Sequence, residues 1–87
     1  MIGNYVIYED GSIENCRGRL LSPALNERGY LKVGLTVKGE RKFYYVARLV
    51  AEEFIPNPNG YKYVGFKDGN HLNCCVDNLY WKEFYNE

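Results

Sequence analysis

Residues 64–73 read VGFKDGNHLN, and residues 76–81 read VDNLYW. The first stretch opens on apolar and aromatic residues, a composition typical of a β-strand, and we predict that this strand covers residues 61–66. Asp68 and Gly69 then supply residue types that tight turns prefer. The second stretch is predicted to be extended or turn-like. Together they indicate a strand, a polar loop and a returning segment.

In the segment before this loop, the spacing of apolar residues changes from that of a strand to that of a helix. Residues 47–54 fit an amphipathic helix whose inward face carries Leu49, Val50 and Phe54. The sequence IPNPNG at residues 55–60 ends that helix, because proline cannot continue the backbone hydrogen bonding. We therefore predict one short helix followed by a rigid loop. For residues 82–87 we predict at most two turns of a second helix.

The first half of the chain is predicted to consist of β-hairpins. Apolar residues alternate with others over residues 30–37, and residues 41–46 return after a Lys-Gly-Glu turn. A shorter hairpin is predicted around Asp10 and Gly11, and another short strand over residues 19–21. The fold class is therefore α+β, with β-hairpins in residues 1–46 and a short helix, the central loop and a truncated C-terminal helix in residues 47–87. We expect all 87 residues to form one domain.

Charge is balanced in total but uneven along the chain. The 11 Lys and Arg residues equal the 11 Asp and Glu residues, which gives no net charge at pH 7. Eight of the basic residues lie between Arg17 and Arg48, with only two acids among them. A duplex-binding domain usually carries a basic excess, so one positive face holding one or two phosphates is the more modest expectation.

Three further features limit the class of protein. The three cysteines are odd in number and offer no Cys-x-x-Cys pair, so we expect small buried or half-buried thiols rather than a zinc site. No run of membrane length and no signal segment is evident, which predicts a cytoplasmic protein that makes no membrane contact. The many aromatic residues also make a homo-oligomer a reasonable expectation.

Residues 46–58, VARLVAEEFIPNP, and the two stretches quoted above together resemble phage-type HNH endonucleases. The resemblance covers nearly the whole chain and implies a ββα-metal hairpin encoded by a phage or mobile element, acting in a host cell. In that family a histidine activates water and a neighbouring Asp or Asn helps to hold one divalent metal. By position these two residues fall on Phe66 and Gly65, and an earlier histidine falls on Ala47. The second metal position falls near Glu87.

The resemblance therefore implies a catalytically degenerate member. On this hypothesis the chain is not an enzyme, binds no metal and needs no cofactor. His71, on the turn, is left with three interpretations: a passive exposed side chain, a ligand contact or a relocated base. Asn78 keeps the family role of bracing the loop.

Removal of the metal ligand and the base would leave a pocket for a nucleotide-like small molecule. The predicted ligand-binding residues are Ala47, Arg48, Tyr45, Gly65, Phe66, Lys67, His71 and Asn78. The first functional hypothesis is an anti-defence sponge for a signal such as a cyclic ADP-ribose derivative. The alternatives are a non-cleaving DNA-binding module and a protein-binding inhibitor of a host defence nuclease such as a CRISPR effector.

Overall fold

The protein is described by a computed structural model that covers residues 3–84. Its elements in chain order are β1 (Val6–Ile7), β2 (Ile13–Glu14), β3 (Ala24–Leu25), β4 (Leu31–Val37), β5 (Glu40–Tyr45), α1 (Val46–Phe54), β6 (Tyr63–Phe66), a 3₁₀ turn (Val76–Asn78) and β7 (Leu79–Lys82). Within this range, three antiparallel sheets form: β1–β2, β3–β4–β5 and β6–β7. The predicted α+β class is confirmed.

The longest hairpin, β4–β5, follows directly from its sequence. Val33 and Leu35 are buried at alternate positions, as a strand with one covered face requires. The turn places Lys38 at φ 55° and Gly39 at φ 82°, and left-handed geometry at both positions matches the right-handed twist of the strands. The predicted hairpin is confirmed, and it fixes one face of the sheet against the helix.

The helix α1 closes the core over both halves of the chain. Val46, Leu49 and Val50 are almost fully buried, which gives the helix one apolar stripe. The buried cluster joins them to residues from β1, β2, β4 and β7, among them Ile7, Ile13, Leu35 and Leu79. Residues before and after position 46 therefore share one core.

Two sequence predictions about secondary structure are wrong. Residues 19–21 form no strand, and only one bridge links Leu20 to Glu14. The third strand of the sheet is instead Ala24–Leu25, whose side chains are both exposed and so show no alternation. Lys82, expected in a helix, ends β7. The rest of the predicted C-terminal helix reaches residues 85–87, which lie outside the described residues.

The three cysteines differ in their exposure to solvent. All three are free thiols: Cys74 is buried and Cys75 half-buried, as predicted, whereas Cys16 is exposed, so the prediction is wrong for that residue. Burial raises the pKa of Cys74 to about 11, so this thiol stays protonated and packs as a small apolar side chain. Among residues 3–84, no helix combines the length and hydrophobicity needed to cross a bilayer.

Candidate functional site

A cleft of about 240 Å³ opens between the start of α1, the β3–β4 turn and the β6–β7 sheet. Its walls are aromatic and apolar, and they are formed by Tyr30, Tyr45, Ala47, Tyr63, Val64 and Phe66. Four cations, which we call the basic rim, complete the lining: Arg28, Arg48, Lys62 and Lys82. No carboxylate is found among the described residues that line it. The cleft therefore offers flat apolar faces beside positive charge.

An aromatic cluster forms one wall of this cleft. Tyr30 is its centre: its ring meets the ring of Tyr45 edge-on at a centroid distance of 5.9 Å and lies 6.1 Å from that of Phe66. His71 stacks on Tyr30 at 4.1 Å with the ring planes 12° apart, and it also lies 5.0 Å from Phe66. Edge-to-face and stacked pairs of this kind hold rings in fixed orientations. The cluster is thus a preformed wall.

A turn before β4 brings the remote parts of the cleft together. The side-chain oxygen of Asn26 accepts hydrogen bonds from the backbone N–H groups of Arg28 and Tyr30, both at 2.9 Å. This Asx geometry favours a tight turn, and it places both residues at the cleft. The Asn26 amide also donates to the hydroxyl of Tyr45 at 3.3 Å. One residue outside the cavity lining therefore positions three residues within it.

Arg48 links the helix to the sheet that follows it. Its guanidinium donates to the carbonyl oxygen of Lys62 at 2.5 Å and to the Glu52 carboxylate at 3.2 Å. It also lies over the ring of Trp81, 5.7 Å from the centroid. Trp81 in turn donates to the carbonyl oxygen of Ile55 at 3.0 Å. Arg48 was predicted only as a ligand contact, and the structure gives it a positioning role as well.

The polar loop after β6 is braced by Asn78. Its side-chain oxygen accepts the backbone N–H of Asp68 at 3.1 Å, and its amide donates to the Asp68 carboxylate and to the carbonyl oxygen of Asn73, each at 2.9 Å. Hydrogen bonds from the Asn70 N–H and from the Asn73 and Asn78 amides lower the pKa of Asp68. The loop is therefore held by a closed polar network around one carboxylate.

The structure brings only part of the predicted ligand set together. Tyr45, Ala47, Arg48 and Phe66 line the cleft, as expected. His71 is half-buried behind Tyr30 and is not a freely exposed turn residue.

Like His71, the three remaining predicted ligand residues do not line the cleft. Gly65 points to the opposite face of β6 from Val64 and Phe66, because successive side chains of a strand alternate. Lys67 lies in the exposed loop, and Asn78 is buried within the loop brace. Gly65 leaves no room for a ligand, although it was predicted as a ligand-binding residue, because the ring of Tyr80 fills the space beside it.

Residues that sequence reasoning missed come from three separate segments, one of which is the end of β7, where Lys82 lies. Arg28 and Tyr30 arrive through the Asn26 turn, whereas Lys62 and Tyr63 arrive at the entry to β6. The sequence did carry one usable signal, because Asn26 followed at position 29 by a glycine is typical of a tight turn. The pattern did not indicate that residues of this turn would lie at the cleft.

The resemblance to HNH endonucleases also implies a divalent metal near the end of β6. Gly65 offers no side-chain ligand atom there, and the Phe66 ring packs against Tyr30 and His71. Within residues 3–84, no group of three or more His, Cys, Asp or Glu side chains is arranged to hold a metal. The residues described therefore do not fit a metal by themselves. A metal ion here would need ligands from DNA or from residues outside this range.

Two known proteins are similar to the chain in sequence. The chain is 38% identical over 79 residues to an uncharacterized HNH endonuclease, L245, of Acanthamoeba polyphaga mimivirus, covering 90% of the chain and 24% of that protein. It is 32% identical over 80 residues to the DNA endonuclease I-HmuI of Bacillus phage SP01, covering 91% of the chain and 46% of the enzyme. No family model matches the chain.

A solved structure agrees with these relatives. The chain matches the HNH homing endonuclease I-HmuI, in a study of DNA binding and cleavage, with a TM-score of 0.82 and 33% identity. The match covers 92% of this chain and 47% of the solved chain. The chain therefore spans about half the length of I-HmuI and about a quarter of the length of L245. The expectation that the chain is not an enzyme is contradicted, because both relatives and the solved structure are endonucleases by name. In sequence and in fold, the chain belongs to the HNH endonuclease family.

Proposed function

We propose that this chain is the part of an HNH endonuclease that binds DNA, and that the cleft and the adjoining sheet face contact the sugar-phosphate backbone. The observation that carries the proposal is the basic rim: four cations surround an aromatic cleft that has no carboxylate among its described lining residues. Phosphate contacts from Lys and Arg supply most of the affinity that proteins have for DNA.

The outer face of the β3–β4–β5 sheet extends this surface. Lys32 pairs with Tyr45 across the strands, so their side chains share one face, and Phe43 lies on the same face. The Phe43 ring is 64% exposed, with Lys32 Nζ 5.1 Å and the Arg41 guanidinium 5.8 Å from its centroid. An exposed ring flanked by two cations is typical of surfaces that contact nucleic acid. The face and the cleft meet at Tyr45.

The absence of net charge fits this proposal once charges are placed in space. Lys32, Arg41 and the basic rim gather on one continuous surface, whereas the chain total cancels to zero. Such a surface neutralises a few phosphates rather than many. We therefore expect moderate affinity with a clear but shallow dependence on salt.

The relatives favour this proposal over the two other hypotheses from the sequence. I-HmuI is described as binding and cleaving DNA, and L245 also has an endonuclease name. Neither name refers to a small-molecule signal or to an inhibited host protein. On this proposal, the described residues bind the DNA and position the strand within a nuclease.

The proposal is tested by fluorescence anisotropy with a labelled duplex across a series of salt concentrations. We expect binding whose logarithm falls linearly with the logarithm of salt, and Lys62→Ala should weaken it and lower the slope by about 1. Lys42→Ala is the matched control, because Lys42 projects from β5 on the opposite face to Arg41 and pairs with Glu40. Absence of duplex binding at low salt, or equal effects of the two variants, would contradict the proposal.

A further inference from the structure

We infer that the cleft takes an unpaired nucleotide of a DNA strand, with the base stacked on Tyr45 and the adjoining phosphate held by the basic rim. This inference rests on the proposed DNA binding and adds the kind of nucleotide that the site selects. An unpaired nucleotide occurs in a single strand and at a bulge in a duplex, and both present the same chemistry.

The size of the cleft suits one base better than a base pair. Its volume of about 240 Å³ is below the roughly 300–1,000 Å³ of pockets that enclose drug-sized ligands. A single flat ring matches such a space more closely than two paired bases do. A base can reach the cleft wall only after leaving its helical stack, as in enzymes that extrude a nucleotide.

The rings are arranged to receive one further ring. His71 stacks on one face of Tyr30 and so restricts the movement of the Tyr30 ring. Tyr45 meets Tyr30 edge-on and is 50% exposed, which leaves much of its surface open beside the cleft. The hydrogen bond from Asn26 to the Tyr45 hydroxyl limits rotation of this ring. An exposed, oriented tyrosine is the usual platform for stacking an unpaired base.

The charges lie where the backbone of that nucleotide would pass. Lys62 is exposed at the rim, and the Arg48 guanidinium is about half exposed while it bonds to the Lys62 carbonyl oxygen. An aromatic wall with cations along one rim matches a nucleotide, which is flat and apolar at the base and anionic at the phosphate. A simple phosphate site would not need the rings, and an apolar ligand site would not need the cations.

The test compares three labelled DNAs of one sequence by anisotropy: a perfect duplex, a duplex with one unpaired nucleotide and a single strand. We expect the two DNAs with an unpaired nucleotide to bind about tenfold more tightly than the perfect duplex, because base stacking on an aromatic ring adds to the phosphate contacts. Tyr45→Ala and Tyr45→Leu should remove this preference. Tyr45→Phe keeps the ring and should retain it, and Tyr8→Ala removes a similarly exposed tyrosine, from the loop after β1, as a control.

A second readout reports on the base itself. With 2-aminopurine at the unpaired position, stacking on Tyr45 should quench its fluorescence when the protein binds, and Tyr45→Ala should abolish the quenching. Equal affinity for all three DNAs, or a preference that survives in Tyr45→Leu, would overturn the inference and leave the proposed DNA binding standing. Absence of binding to any of the DNAs would overturn both.

Discussion

The ring of Tyr80 lies directly over Gly65, its cross-strand partner in the β6–β7 hairpin. A Cβ built on Gly65 would stand 2.3 Å from the Tyr80 Cζ, well inside contact distance. Gly65 is therefore required for packing, because any larger residue needs the space that the tyrosine ring fills. In this chain, the position that the family resemblance assigns to a metal ligand is a glycine covered by the ring of Tyr80.

Gly65→Ala should lower the free energy of unfolding by about 1–3 kcal/mol, because the new methyl group displaces the Tyr80 ring. In a Tyr80→Ala background the same substitution should cost little, which gives a large coupling energy in a double-mutant cycle measured by urea denaturation. Gly34→Ala is a matched mid-strand control. Its Cβ would meet the end of the flexible Arg41 side chain, which can move away. Additive effects at Gly65 and Tyr80 would contradict this account of the hairpin.

Arg48→Ala should destabilise the fold more than Glu52→Ala does. The Arg48–Glu52 pair is exposed on both sides, and such i,i+4 pairs contribute only about 0.3–0.5 kcal/mol. The bond to the Lys62 carbonyl oxygen and the packing over Trp81 are lost only in the arginine variant. A charge-assisted bond of this kind contributes about 1.5–3 kcal/mol. Thermal and urea unfolding of the two variants provide the measurement, and equal losses would show that only the ion pair matters.

The loop network should make the stability of the protein sensitive to acid. Hydrogen bonds from Asn70, Asn73 and Asn78 lower the pKa of Asp68 in the folded state. A lowered folded-state pKa means that the stabilisation is complete above the unfolded-state pKa and is lost as the pH falls through the folded-state value. Hydrogen bonds from Ser12 lower the pKa of Asp10 in the same way, so both residues act in this acidic window.

Asp68→Asn in an Asp10→Asn background isolates the effect of the loop. The stability difference between the two proteins should be largest near neutral pH and should shrink as the pH falls through the lowered pKa of Asp68. Urea unfolding at a series of pH values gives this difference directly. A difference that is constant across the acidic range would show that the network does not depend on the charge of Asp68.

The predictable parts of this structure are those where one element buries one face. The alternation at Val33 and Leu35 predicted the central hairpin, and the apolar stripe of α1 predicted the helix. Burial of one face makes apolar residues recur at regular intervals in the sequence. Ala24 and Leu25 form a strand with no buried face, so no periodic signal marked it. Leu20 forms a single bridge to Glu14, and residues 19–21 therefore do not form the strand that was predicted there.

The candidate site was harder to predict because it is assembled across the chain. Ala47 and Phe66 were identified from their positions in a family pattern and Tyr45 as an aromatic residue next to them, and all three line the cleft. Arg28 and Lys62 were missed, because their place depends on a turn and on a loop that no linear pattern connects. Gly65 was misplaced because the pattern gives a position but not the neighbour, Tyr80, that occupies the space.

The most direct test of DNA binding by this surface is an NMR titration of the ¹⁵N-labelled protein with a short duplex. The account predicts that amide shift changes concentrate at Tyr30, Tyr45 and Lys62 and along the outer face at Phe43, with the β1–β2 hairpin little affected. Absence of shifts at saturating DNA in low salt, or shifts confined to the β1–β2 hairpin, would contradict it.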